Sequence, residues 1–126
     1  MLVGTHPLFS NTTGHDKPGM KIVIVGAGKV GRTLVDQLCK EGNDITIIDE
    51  DEKKVEQLTN LYDVMGIVGN GASYKVQVEA DLEHADLFIA VTDSDELNLL
   101  CCTVAKRVGD TAAIARVRNP DYSEEV

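Results

Sequence analysis

Three glycines carry the first chemical signal in this chain. Gly26, Gly28 and Gly31 interrupt the segment IVIVGAGKVGRTLV, residues 22–35. An apolar run feeds into them and a helical pattern follows. Between a strand and its helix, the spacing G-x-G-x-x-G binds the phosphates of a dinucleotide. Gly26 makes the tight turn, Gly28 leaves room for a pyrophosphate at the backbone, and Gly31 lets the helix pack closely on the sheet. N–H groups without intrahelical partners at the helix start, with the helix dipole behind them, face the anion. Lys29 and Val30 head that helix. The Lys29 ammonium either adds positive charge beside the phosphates or lies solvated at the surface.

The second signal is Asp49. It ends the next apolar run, DITIID, 18 residues beyond Gly31. A carboxylate there accepts hydrogen bonds from the ribose hydroxyls of an adenosine half. It repels a 2′-phosphate, and Glu50 and Asp51 sharpen that repulsion. The expected ligand is NAD(H), or ATP or ADP, rather than NADP(H). The competing role for Asp49 is a cap on the helix that follows.

Composition limits the alternatives. The 126 residues fit one domain, and 43% of them are hydrophobic, enough for a core. Aromatic residues are 4%, Trp is absent, and the net charge is -9, all of which argue against nucleic-acid binding. Cys39, Cys101 and Cys102 have no CxxC spacing, which argues against a disulfide framework or a zinc site. The adjacent pair lies in an apolar helical stretch without a partner base and reads as core. No 18-residue apolar run and no signal-peptide pattern are visible. His84 is the one histidine of the periodic region, in the loop EADLEHAD, at the sheet edge away from ligands. No catalytic and no metal-binding residues are expected.

These residues need a frame to position them. Strands are predicted at 21–25, 44–49, 64–68, 86–91 and 112–117, and helices at 29–41, 51–61, 73–80 and 95–108. Val30, Leu34 and Leu38 form the first inner stripe, with Gly42 as its C-terminal cap; Val55, Leu58 and Leu61 form the second. The third helix is ambiguous, because Val76, Val78 and Ala80 also suit a strand. On the fourth, a helical wheel turns Leu97, Leu100, Cys101, Val104, Ala105 and Val108 toward the sheet. Leu99 and Cys102 fall on its far side, a candidate homodimer surface. The fold class is α/β, a doubly wound, Rossmann-like parallel sheet of five strands with the sixth missing. Residues 1–19 show no period and hold His6 and His15; they read as a flexible N-terminal arm or an expression-vector remnant. Residues 20–126 form the nucleotide-binding domain, expected to be truncated.

From the fourth strand the pattern becomes more specific. DLFIAVTDSDELNLLCCTVAKR followed by IARVRNPDY resembles the N-terminal nucleotide-binding domain of the TrkA potassium-uptake family, the RCK or KTN domain. MKIVIVGAGKVGRTLV, NDITIID and the GNG turn follow the same pattern and order, so the likeness spans nearly all of 20–122. The resemblance implies a regulatory, non-catalytic cytoplasmic domain. Such domains bind NAD(H) or adenine nucleotides and assemble into dimers or rings. They lie at the inner face of the cell membrane beneath a membrane-embedded potassium transporter subunit.

Carried over, Gly26, Gly28, Lys29 and Gly31 line the phosphates and Asp49 the ribose. Asn70, beside Gly71, lies near the adenine where many relatives have an acid; its amide both donates and accepts. Thr92 and Asp93 border the central phosphates or second ribose. Arg116 and Arg118 face phosphates, on one side of the last strand by its period of two. Asp81 stands where the family often has glycine. The alternative reading is the cofactor domain of an NAD-dependent oxidoreductase without its substrate half.

Overall fold

The computed structural model describes residues 2–3 and 19–123. The strands are β1 (Leu2–Val3), β2 (Lys21–Val25), β3 (Asp44–Asp49), β4 (Met65–Val68), β5 (Leu87–Ala90) and β6 (Ala112–Ala115). They form one sheet in the order β1-β6-β5-β2-β3-β4. The five strands from β2 to β6 are parallel, as expected. The two residues of β1 pair antiparallel with β6, Leu2 opposite Ile114 and Val3 opposite Ala113. The edge beyond β6 is thus joined from the N-terminal side, a pairing that periodicity does not announce. Residues 4–18, which hold His6 and His15, lie outside the described residues.

Both faces of the sheet are covered, which explains why β2 and β3 read as continuous apolar runs. Alternate side chains go to opposite cores. Ile22, Ile24, Ile45 and Ile47 pack with Val35 of α1 (Lys29–Lys40) and Leu58 of α2 (Glu52–Leu61). Val23, Val25, Ile48, Phe88 and Ala113 pack with Cys101, Cys102 and Ala105 of α4 (Asp95–Val108). Between them runs the short α3 (Tyr74–Glu79), and the chain closes with α5 (Pro120–Ser123). Strand β2 has β3 on one side and β5 on the other, so the chain reverses its winding direction there. A crevice opens at the carboxyl ends of strands at such a switch point.

Five local outcomes depart from the sequence pattern or settle it. The third helix is a helix: Ser73 Oγ caps it by accepting from the Val76 N–H at 3.3 Å. Leu61 is exposed rather than inner, because α2 ends there and the strand it covers, β4, is the sheet's open edge.

The wheel for α4 is turned by about one residue, roughly 100°. Its buried line runs through Asp95, Asn98, Cys101, Cys102 and Ala105; Leu100 is 52% exposed, Cys102 is fully buried, and Leu99 packs partly against the core. Leu99 and Cys102 therefore do not form an outer strip. Hydropathy misplaced the face because Asp95 and Asn98 are polar residues turned inward for hydrogen bonding.

The last strand stops at Ala115, so period two does not govern Arg116 and Arg118. Asp81 adopts the left-handed region (φ 58°), which favours glycine. Its carboxylate accepts from Lys21 Nζ and pairs with His84 Nδ1, both at 2.7 Å.

Candidate functional site

Build the crevice from its floor. Strand β2 ends at Val25 and the chain turns at Gly26, whose φ of +115° excludes an ordinary side chain. A Cβ there would also meet the Val91 carbonyl carbon and oxygen at 2.9 Å. Gly31 is required for a different reason. Its Cβ would stand 1.7 Å from the Gly26 oxygen, so the helix could not approach its own turn. Gly28 is unlike both. Its backbone is ordinary, and nothing lies within 4 Å of where a Cβ would be. Neither conformation nor packing within the protein requires glycine at 28.

The start of α1 is open as well. Asp51, Ser73 and Ser94 cap the N-termini of α2, α3 and α4 with their side chains. Gly28 caps α1 with none. The first bond of that helix is Arg32 N–H to the Gly28 carbonyl, at 2.9 Å. The N–H groups of Gly28, Lys29, Val30 and Gly31 have no acceptor among the described residues. Four donors and the positive end of a helix dipole thus converge at a glycine without a side chain, an arrangement suited to an anion.

Asp49 sits across from this turn. Its Oδ2 accepts from the Ala27 N–H at 2.7 Å, and its Oδ1 from the Asp51 N–H at 2.8 Å. The carboxylate braces the glycine turn against the end of β3. Each oxygen keeps lone-pair capacity for a further donor such as a hydroxyl. The helix cap itself is Asp51, whose Oδ1 accepts from Lys53 and Lys54 N–H. Asp49 is not that cap.

The crevice holds about 390 Å³. Its walls include Gly26, Gly28, Lys29, Val30, Asp49, Glu50, Gly71, Thr92, Asp93 and Arg116, brought together from five separate segments. Three of the expected residues lie outside the lining. Gly31 sits beneath the turn. Asn70 spends its Oδ1 on the Ala72 N–H at 2.9 Å, which leaves the amide's N–H₂ as its remaining polar group. Arg118 turns away, its guanidinium donating to the Asp93 carbonyl and pairing with Asp95 at 3.8 Å. The two arginines do not share a wall.

Other lining residues carry no glycine-type signal in the sequence. Val25, Val91 and Leu97 make its apolar part, and Lys54 reaches it from the first turn of α2. The ionised groups on the walls are three basic (Lys29, Lys54, Arg116) and three acidic (Asp49, Glu50, Asp93). The crevice is therefore balanced although the chain carries -9. Arg116 and Asp93 stand 4.0 Å apart.

Asn98 is the positioning residue that pattern reading overlooks. It is fully buried. Its Oδ1 accepts from the Thr92 N–H (2.8 Å) and the Thr92 hydroxyl (2.7 Å). Its Nδ2 donates to the carbonyls of Thr92 (3.1 Å) and Arg116 (2.9 Å). One amide thereby joins the ends of β5 and β6. Beside it, Asp95 accepts from the backbone N–H groups of Arg118 and Asn119, which hold its carboxyl below the usual carboxylate range. Tyr122 OH donates to Glu96 at 2.6 Å. The segment after β6 is thus fastened to the start of α4. Repeated polar spacing in TDSDELN is the signal that locates this network.

The remaining reactive groups are elsewhere. Burial pushes the Cys101 and Cys102 thiols up to about 12, far from thiolate chemistry at neutral pH. His84 lies in the turn before β5, at the opposite edge from the crevice. Among the described residues no group of His, Cys, Asp and Glu could hold a metal, and no helix is long and apolar enough to cross a membrane.

Residues 22–126 match the family described as the TrkA-N domain. The Trk system potassium uptake protein TrkA of Vibrio alginolyticus is 41% identical over 107 residues, 84% of this chain and 23% of its own length. A TrkA homolog of Methanothermobacter thermautotrophicus is 40% identical over 105 residues, 83% of this chain and 49% of its own. The chain thus spans from 23% to 49% of the length of these relatives. Among solved structures, the TrkA-N domain of inner membrane protein ybaL from Escherichia coli superposes with a TM-score of 0.75 at 24% identity, covering 82% of this chain and 76% of that one. The GsuK channel bound to NAD gives 0.75 at 22% identity, covering 95% of this chain and 21% of that one. At such identities the likeness is one of fold.

Proposed function

The chain belongs to the TrkA-N domain family, and from that premise we propose that it is the nucleotide-sensing part of a potassium-uptake system. It binds NAD(H), with ATP or ADP as the alternative ligands, and reports occupancy to a membrane-embedded potassium transporter subunit at the inner face of the membrane. It regulates and does not catalyse. The observation that carries the binding is Gly28. A glycine that the protein's own packing does not need, in front of four unaccepted N–H groups, is accounted for by a ligand that comes close.

In this reading the phosphates lie over Gly26, Gly28, Lys29 and Val30, with Gly31 supporting the turn from below. Asp49 and Glu50 take the ribose hydroxyls, and Gly71 and Asn70 border the adenine. Thr92, Asp93 and Arg116 face the distal half. Thr92 contributes through its shape, because its hydroxyl and its backbone N–H are both committed to Asn98 and its turn. Arg118 acts on Asp93 and Asp95, one step from the ligand. Self-association into a dimer or ring belongs to the same reading, with Leu100 on α4 replacing Leu99 and Cys102 as the apolar contact.

The oxidoreductase alternative needs an acid–base group at the crevice. The crevice wall has no histidine or cysteine; of its carboxylates, Asp49 is engaged with backbone N–H groups and Asp93 lies beside Arg116. The experiment is potassium flux through the transporter reconstituted with the full-length protein, with and without NADH, beside an NADH-oxidation assay on a carbonyl panel. Nucleotide-dependent flux without turnover supports regulation. Turnover abolished by Gly28→Val supports the enzyme.

A further inference from the structure

Gln77 is the one fully buried amide on α3. It packs within the face of the sheet that holds Val76, Ala80, Leu82 and Cys101. Its Nε2 donates twice, to the Gly71 carbonyl at 2.8 Å and to the Cys101 carbonyl at 3.0 Å. Its Oε1 has no partner among the described residues. Rotating the amide would set that oxygen against two carbonyls, so the two acceptors fix its orientation. A buried acceptor left unpaired is costly, and Gln77 carries that cost while its N–H₂ satisfies carbonyls of two separate segments. Gln77 therefore does something that core packing does not explain.

Its two partners show what that is. Gly71 lies on the crevice wall, and its backbone presses on Val25, where a Cβ would come within 2.3 Å. Cys101 stands one turn along α4 from Leu97, which also lines the crevice. The same helix carries Asn98, which holds Thr92 and Arg116. The loop from Gly69 to Ser73 has its own Asx turn at Asn70, and Gly69 N–H bonds the Asp49 carbonyl at 3.0 Å. The loop is thus tied at one end to the strand that carries Asp49. At the other, Gln77 is its polar link to α4.

We propose that Gln77 is a positioning residue for the adenosine side of the crevice and couples the Gly69–Ser73 loop to helix α4. Occupancy that presses on Gly71 is passed through one amide to the helix that also sets the distal wall. This rests on the nucleotide reading above.

The test uses the full chain and three proteins: wild type, Gln77→Leu and Gln77→Met. Both substitutions remove the donor and keep most of the volume. Cys101 retains its helical donor one turn on, whereas the buried Gly71 carbonyl loses its donor. Melting temperature is therefore expected to fall in both variants, as it would for a merely structural glutamine, so the deciding readouts are nucleotide affinity and the exchange protection of α4. Calorimetry with NAD and AMP is expected to show affinity weakened about 5- to 30-fold, the worth of one or two kcal/mol. Hydrogen exchange is expected to show NAD-induced protection of α4 residues 97–102 in wild type and its loss in both variants. Two variants guard against one failing to fold. Wild-type affinity and intact α4 protection in a folded variant overturn the proposal and leave the nucleotide reading standing. No binding by wild type at millimolar NAD or AMP defeats the nucleotide reading, and the proposal with it.

Discussion

Replacing Gly28 separates a ligand-imposed glycine from a fold-imposed one. Gly28→Ala adds a Cβ into open space, with nothing of the protein within 4 Å. Alanine is a poorer N-cap than glycine, so the cost in stability is roughly 0.5–1 kcal/mol. For a domain of this size that is about 2–8 °C in melting temperature. The effect on an anion is much larger. Each charge-assisted bond from the N–H groups at the start of α1 is worth about 1.5–3 kcal/mol. A Cβ there stands off the phosphate by roughly a bond length, about 1.5 Å. Losing two such bonds costs about 3–6 kcal/mol, or on the order of 10²- to 10⁴-fold in affinity. Gly31→Ala is the counterpart. Its Cβ meets the Gly26 oxygen at 1.7 Å, so overpacking costs about 3 kcal/mol of stability. Calorimetric titration with NAD, paired with thermal melts, separates the two. Gly28→Ala binding NAD as wild type does, or melting as low as Gly31→Ala, would mean that no ligand imposes the glycine at 28.

Other outcomes follow from the same structure. NADH is expected to bind well ahead of NADPH, because under the proposed placement Asp49 and Glu50 would meet the 2′-position. Asp49→Ala weakens NADH by about 1–3 kcal/mol and also lowers the melting temperature, since the Ala27 N–H loses its acceptor. Equal affinity for both cofactors contradicts that placement. The Asp81 carboxylate raises the His84 pKa above its ordinary 6.5, through their hydrogen bond first and its charge second. The protonated pair therefore stabilises the fold fully below pH 6.5, and the contribution fades as pH rises through the raised value. NMR titration of the His84 ring checks this, and Asp81→Asn returns the ring toward its ordinary value. Leu100→Lys is expected to shift any self-association toward monomer in sedimentation, with NAD binding unchanged. Equal association in both proteins removes α4 from the interface.

Apolar periodicity and glycine spacing are enough to read the strands and the glycine turn between β2 and α1, because both express local rules. β2 and β3 are apolar on both faces, and G-x-G-x-x-G is a constraint within six residues. What escaped depends on long-range polar contacts. Asn98 and Asp95 face inward because Thr92, Arg116, Arg118 and Asn119 supply partners from other segments, so a hydropathy wheel turned α4 the wrong way. Leu61 follows its periodic stripe but lies where the sheet has already ended. Arg118 follows the strand's alternation in sequence, yet the strand stops at Ala115 and Asp95 holds the backbone of Arg118 and Asn119. The pairing of Leu2–Val3 with β6 joins segments more than a hundred residues apart, beyond any local period. Asp81 is visible in sequence as a non-glycine after α3. Its partners Lys21 and His84 emerge only in three dimensions.

The central claim is that a nucleotide's phosphates sit on the uncapped start of α1. Its most direct test is a ¹H–¹⁵N NMR titration of the full chain with NAD. Saturable shifts of the Gly28, Lys29, Val30 and Gly31 amides are expected, joined by those around Asp49 and Gly71, at one ligand per chain. Saturable shifts confined to another surface, or no shifts at millimolar NAD and AMP, would contradict it.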